Sequence, residues 1–240
     1  MNILQSYASD HSDENEGLQE NKKKLNYFEI SSEEENFDQN VDYAIPAKIR
    51  NFEHKKGNWA SYVYSPFNIN IGQNLIDQIN RNLMNVQFFV MDHPLHISLS
   101  NTFVLKHHWI NLFLEELRNK IGKCDRFSCT LGELQIYENE EKTRNFIGIN
   151  IKSGNIELKH LSDLVINILA KYNITSDIYK DPSFHVSICW MLNNSSGNFT
   201  AFQFSEIKKI LSPYFYNEVI EIQCLRFKTG NKIYDIKLKS

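Results

Sequence analysis

The sequence has no run of about 18 apolar residues among its 240, so no membrane-spanning helix is expected. Its first residues, Met1 to Glu16, lack the basic-then-apolar order of a secretory signal. Cysteine is scarce. Cys124, Cys129, Cys189 and Cys224 form no C-x-x-C pair and have no histidine partners at zinc-ligand spacing. That argues against a zinc site or a disulfide framework and fits a reducing compartment.

Positive charge is scarce in one region only. Residues 1–45 carry 11 acidic and 3 basic side chains, against 18 acidic and 23 basic in the remainder. With few apolar residues to offset the entropy of ordering, residues 1–45 read as a disordered acidic tail. The body, 46–240, is mildly basic, which is compatible with an anionic substrate.

The body contains two short apolar runs with a histidine and a serine set two residues apart: Leu95-His96-Ile97-Ser98-Leu99 and Phe184-His185-Val186-Ser187-Ile188. In a strand, alternate residues share a face. His96 with Ser98, and His185 with Ser187, therefore point away from the apolar residues between them. One neutral imidazole can take a proton and one protonated imidazole can give one near neutral pH. Two such pairs suit acid–base work on a phosphate.

Around these runs the pattern repeats. A strand over Trp59–Tyr64, ended by Ser65-Pro66, precedes a helix within 69–84 (Leu75, Ile76, Ile79, Leu83) and the first His strand. Leu105, Trp109, Leu112, Phe113, Leu117 and Ile121 predict an amphipathic helix closed by Gly122. Adjacent His107 and His108 diverge on that helix and do not suit a joint metal site. Strands over Phe127–Tyr137 and Ile147–Ser153 follow, then a helix over Glu157–Tyr172 and the second His strand. A helix over Phe204–Leu211 and a hairpin of Val219–Phe227 with Lys232–Lys237 complete the order. This is one unit used twice. It predicts an α+β fold of two lobes related by a pseudo-twofold axis, built from duplicated antiparallel sheets with flanking helices, with one His strand from each lobe lining a cleft.

Paired His-x-Ser strands in a duplicated lobe resemble the two-histidine phosphoesterase superfamily. The segments GNWASYVYSPF, HISLSNTFVLKHHWI, IYENEEKTRNFIGINIKSG, DPSFHVSICW and FKTGNK, in that order, narrow the resemblance to the U6 snRNA phosphodiesterases. The resemblance implies a nuclear, metal-independent 3′→5′ exonuclease that needs no cofactor and trims the oligouridine 3′ end of U6 snRNA. The body shows no acidic ligand cluster, which agrees. It further implies His96 and His185 as acid and base, with Ser98 and Ser187 donating to the phosphate. The shortened RNA would end in a 2′,3′-cyclic phosphate or its opened 3′-phosphate. Tyr179 occupies the place of the tyrosine that stacks on the terminal base, and Ser183 shares a face with His185 and is expected to touch uracil or phosphate. Lys142 and Arg144 are candidates for steering the RNA backbone, and Glu140 stands where some relatives have Gln. Trp109 and Trp190 read as core packing, and two lobes that complete one site suggest a monomer. A small cyclic phosphodiesterase and a catalytically silent RNA-binding module remain the alternatives.

Overall fold

The computed structural model describes residues 55–67, 73–82, 86, 88–91, 94–139, 142–174, 182–192 and 199–240. The acidic tail, Tyr179 and Glu140 lie outside the described residues. Among those described, the elements in chain order are β1 (Asn58–Phe67), α1 (Gln73–Asn82), β2 (Phe88–Val90), β3 (Leu95–Ser98), β4 (Phe103–Lys106), α2 (Ile110–Ile121), β5 (Phe127–Glu138), β6 (Arg144–Ser153), α3 (Asn155–Lys171), β7 (His185–Leu192), α4 (Ala201–Phe215), β8 (Val219–Ile222), β9 (Cys224–Thr229) and β10 (Lys232–Lys237). All strand pairings between them are antiparallel.

The expected duplication appears as two halves of one ten-stranded sheet, ordered β10-β9-β1-β3 with β4 also on β1, and β7-β6-β5-β8 with β2 also on β7, joined where β3 pairs with β7. The two His strands are thus neighbours in one sheet, not opposite walls of a cleft. Only Gln223 separates β8 from β9, although they lie near opposite ends of the strand order. Neighbouring strands are about 4.8 Å apart, so a flat sheet would hold those two strands far from each other. The sheet therefore curls until its ends approach. A cavity of about 190 Å³ between Pro66, Glu221, Gln223, Cys224 and Arg226 marks the place.

The apolar stripes of the helices join the inward residues of the central strands in one core. Ile97, Val186 and Ile149 are fully buried there with Phe113 and Leu117 of α2 and Leu158 and Val165 of α3. Truncating a side chain such as Ile97 to alanine typically costs about 2–5 kcal/mol. The core side of the sheet thereby leaves the alternate residues, His96, Ser98, His185 and Ser187, on the other face. Within α3 the fully buried Ser162 donates its hydroxyl to the Leu99 carbonyl at 2.9 Å, pinning the end of the first His strand.

Several sequence expectations shift. β1 runs through Ser65-Pro66 to Phe67. The partner strand β9 pairs only as far as Tyr64, so the missing N–H of Pro66 costs no ladder bond on that side. Leu105 belongs to β4, not to the helix, which begins at Ile110 after a single 3₁₀ turn at His107–Trp109. Leu112 is 55% exposed, and Ile110 and Leu114 take the buried stripe instead. The Val219–Phe227 strand divides at Gln223, one half pairing with β5 and the other with β1. α4 starts earlier than expected because Thr200 and Gln203 close a reciprocal capping box at its N-terminus.

Candidate active site

The joint between the half-sheets carries the site. Ile97 of β3 pairs with Val186 of β7. In an antiparallel ladder this register sets His96 across from Ser187 and Ser98 across from His185. Directly opposed residues have Cβ atoms about 4.5–5.5 Å apart, and diagonal neighbours stand about 7–8 Å apart. The two imidazoles are such a diagonal pair, with a hydroxyl across the ladder from each. The sequence-predicted quartet is therefore brought together on one face, at a spacing that spans one phosphate group.

Each imidazole is tethered in the same way. His185 donates from Nδ1 to the carbonyl oxygen of Ser183 at 2.8 Å. A carbonyl can only accept, so Nδ1 carries the proton and Nε2 is left for chemistry. The Pro94 carbonyl, also two residues upstream, accepts from the ring of His96. Burial lowers the pKa of both histidines below the ordinary 6.5, partly opposed by these carbonyls. For His96 the positive charge of His185 and of Lys228 lowers it further. Both rings therefore tend toward the neutral form in the free protein.

The second layer around the two rings differs. Tyr64, opposite Ser98 on β1, meets His96 edge-on at 4.9 Å and 62°. Behind it Arg226 of β9 donates to the Tyr64 hydroxyl and, from Nε, to Asp235 of β10 at 2.8 Å. Lys228 lies over Tyr62 at 5.8 Å. On the other side Tyr137 of β5 lies flat on His185, with ring centres 3.8 Å apart and planes 12° off parallel. Gly148, which faces Ser187 across the ladder, makes room for that stack. A Cβ there would come within 3.1 Å of the Tyr137 ring, 3.2 Å of the His185 ring and 3.0 Å of the Val186 carbonyl.

Ser183 is exposed, and its carbonyl is committed to His185 while its side chain bonds the Tyr137 hydroxyl. Tyr179 lies outside the described residues. Trp109 packs against Tyr172 at 5.6 Å beside the core, as expected. Sequence reasoning missed Tyr64, Tyr137, Gly148, Arg226 and Lys228. The Tyr62/Tyr64 alternation on β1 was a visible signal, whereas Tyr137 reaches the site only through the pairing of β5 with β6. Among the described residues no group of three or more His, Cys, Asp or Glu converges as metal ligands.

The sequence is similar to those of known proteins. Residues 22–237 match the family described as “HVSL: Uncharacterised conserved protein”. U6 snRNA phosphodiesterase 1 of Mus musculus is 32% identical over 202 residues, covering 80% of this chain and 73% of its own. The protein of the same name from Xenopus laevis is 31% identical over 258 residues, covering 98% and 99%. That from Homo sapiens is 32% identical over 199 residues, covering 80% and 74%. The chain is a member of the HVSL family and, like these relatives, a phosphodiesterase.

Proposed function

We propose that this chain is a 3′→5′ exoribonuclease that shortens the uridine-rich 3′ end of U6 snRNA, without a metal, in the nucleus and as a monomer. The observation that carries the reading is the diagonal of His96 and His185 across paired strands, with Ser187 and Ser98 facing them. Relatives named for U6 snRNA support the substrate. The completion of the site by one chain supports the monomer.

The 2′-hydroxyl of the penultimate nucleotide attacks the adjacent phosphorus. Its proton passes to one imidazole as the O2′–P bond forms. The P–O5′ bond breaks, and the second imidazole protonates the departing 5′-oxygen. The products are a released nucleoside and an RNA ending in a 2′,3′-cyclic phosphate, which water attack at the same phosphorus opens to a 3′-phosphate. Ser98 and Ser187 hydroxyls donate to the phosphate oxygens where charge develops.

The surroundings divide the roles. Two positive charges near His96 oppose its protonation, which suits the general base. The flat Tyr137 ring under His185 presents its negative π face to an imidazolium, which suits the general acid with Nε2–H as donor. Tyr179 is assigned to stacking on the terminal base, a contact typically worth about 1–3 kcal/mol.

Incubating the protein with a 5′-labelled RNA ending in oligouridine, in EDTA, tests the reading. A ladder shortening from the 3′ end supports it. Opening of cyclic phosphates alone would indicate the small cyclic phosphodiesterase, and binding without product a silent RNA-binding module.

A further inference from the structure

Beyond the catalytic quartet, the same face of the sheet carries a three-layer stack. Phe89 of β2 lies opposite Trp190 of β7, with ring centres 4.4 Å apart and planes 24° from parallel. Arg144 of β6 lays its guanidinium 4.5 Å from the centre of the Trp190 ring. β2 and β6 flank β7 on opposite sides, so the indole is held between the phenyl ring and the guanidinium. A bulge in the β6–β7 ladder between Ile147 and Gly148 sends both Ile188 and Cys189 into the core. Trp190 thereby returns to the face that holds His185 and Ser187. Phe89, Arg144 and Trp190 are all half-buried rather than enclosed.

Among the described residues no carboxylate pairs with the charge of Arg144, whereas Lys159, Lys171, Lys208, Lys209, Arg226 and Lys239 each pair with an acidic side chain. Its guanidinium rests on an aromatic ring and is only half-buried. That combination binds backbone phosphate and stacks on bases with little regard for sequence.

Its place along the joint gives the stack a direction. Reading β7 from its start, the rows across the joint are His185 with Ser98, then Ser187 with His96, then Trp190 with Phe89. If His185 protonates the leaving nucleotide and His96 meets the 2′-hydroxyl just upstream, the RNA body continues toward Trp190. About 10 Å of strand separates Ser187 from Trp190, a distance that a short run of extended RNA covers.

We propose that Phe89, Trp190 and Arg144 form an upstream RNA subsite, which stacks a base and grips a phosphate of the RNA body behind the scissile bond. The direction rests on the exonuclease reading above, whereas the subsite itself is tested by binding alone. The probes are 5′-fluorescein oligouridines of three and eight nucleotides, each with a 2′-deoxy sugar at the penultimate position so that cleavage is blocked. Wild-type protein is expected to bind the eight-mer more tightly than the three-mer. Arg144→Ala should weaken eight-mer binding by about 5–10-fold and remove most of the gain with length. Arg144→Lys, which keeps the charge but not the plane, should restore only part of it. Phe89→Leu should likewise erode the length gain. An equal loss for both lengths, an unchanged eight-mer affinity in Arg144→Ala, or full restoration by Lys would overturn the stacked subsite. If wild-type protein fails to shorten the all-ribose eight-mer, the exonuclease reading falls separately, and the binding series still decides the subsite.

Discussion

His96 and His185 occupy equivalent places in two related half-sheets, each tied through a ring nitrogen to the carbonyl two residues before it. Their neighbours differ in kind. On the His96 side the adjoining strand offers Tyr64 edge-on, backed by Arg226, Asp235 and Lys228. On the His185 side the equivalent position is Gly148, and the aromatic ring arrives from one strand further out to lie flat. A duplicated scaffold thus delivers two identical side chains to one face of the sheet, and the second layer makes them unequal. Burial disfavours the charged form of both rings; positive charge nearby adds to this at His96, whereas at His185 the flat Tyr137 face opposes it.

The largest effect that can break this comparison is loss of either ring. His96→Ala or His185→Ala should each slow single-turnover trimming by about 10²–10⁴-fold, the usual worth of a positioned acid or base. The double variant should lose little more than the worse single, because both act on one transition state. Additive losses would show that the rings do not share a step. Next come the hydroxyls. Ser98→Ala and Ser187→Ala should cost about 10²–10³-fold each if they act as oxyanion donors, read as kcat on a saturating oligouridine-ended RNA.

Gly148→Ala sharpens the difference between the halves. The added Cβ meets the Tyr137 ring, the His185 ring and the Val186 carbonyl at 3.0–3.2 Å. A displacement of the ring by a fraction of an ångström should lower kcat by about 10-fold with a smaller change in KM, given that 1 Å can cost about 10². Tyr64→Phe on the other side keeps the ring edge and loses only the hydroxyl bonded to Arg226. It should reduce kcat less than Gly148→Ala does. The reverse ranking would mean that the stack on His185 is mere packing.

The smallest effect is in pH. Burial lowers both histidines below 6.5, so the kcat/KM profile of the free enzyme should peak on the acid side of 6.5. Bound phosphate favours the imidazolium, so the kcat profile should peak at higher pH. Lys228→Gln removes a charge that opposes protonation of His96 and should move the acid limb of kcat/KM upward. An acid limb unmoved by that change would separate His96 from the base role.

Much of this was legible in the chain before folding. Period-two alternation in LHIS and HVSI placed all four polar groups on one face, because Ile97 and Val186 had to be inside. Helical stripes in 157–172 and strands in 127–153 were equally plain. The joint was not legible. Alternation states which residues share a face but not which strands become neighbours, and the β3–β7 pairing spans almost ninety residues. Leu105 misled because its offset from Trp109 fits a helix as well as a strand followed by a tight turn. Trp190 reads as core because the alternation says so, until the bulge at Ile188–Cys189 turns it back to the open face. Tyr137 and Gly148 gain meaning only together, once β5 and β6 are in register.

A change of leaving group tests the division of labour between the two rings. In an RNA whose scissile 5′-oxygen is replaced by sulfur, the departing thiolate needs no proton. Comparing cleavage of this substrate with the all-oxygen one in His96→Ala and His185→Ala separates base from acid. Sulfur should restore most of the rate lost in His185→Ala and little of that lost in His96→Ala. Rescue of His96→Ala instead, or of neither variant, would contradict this division.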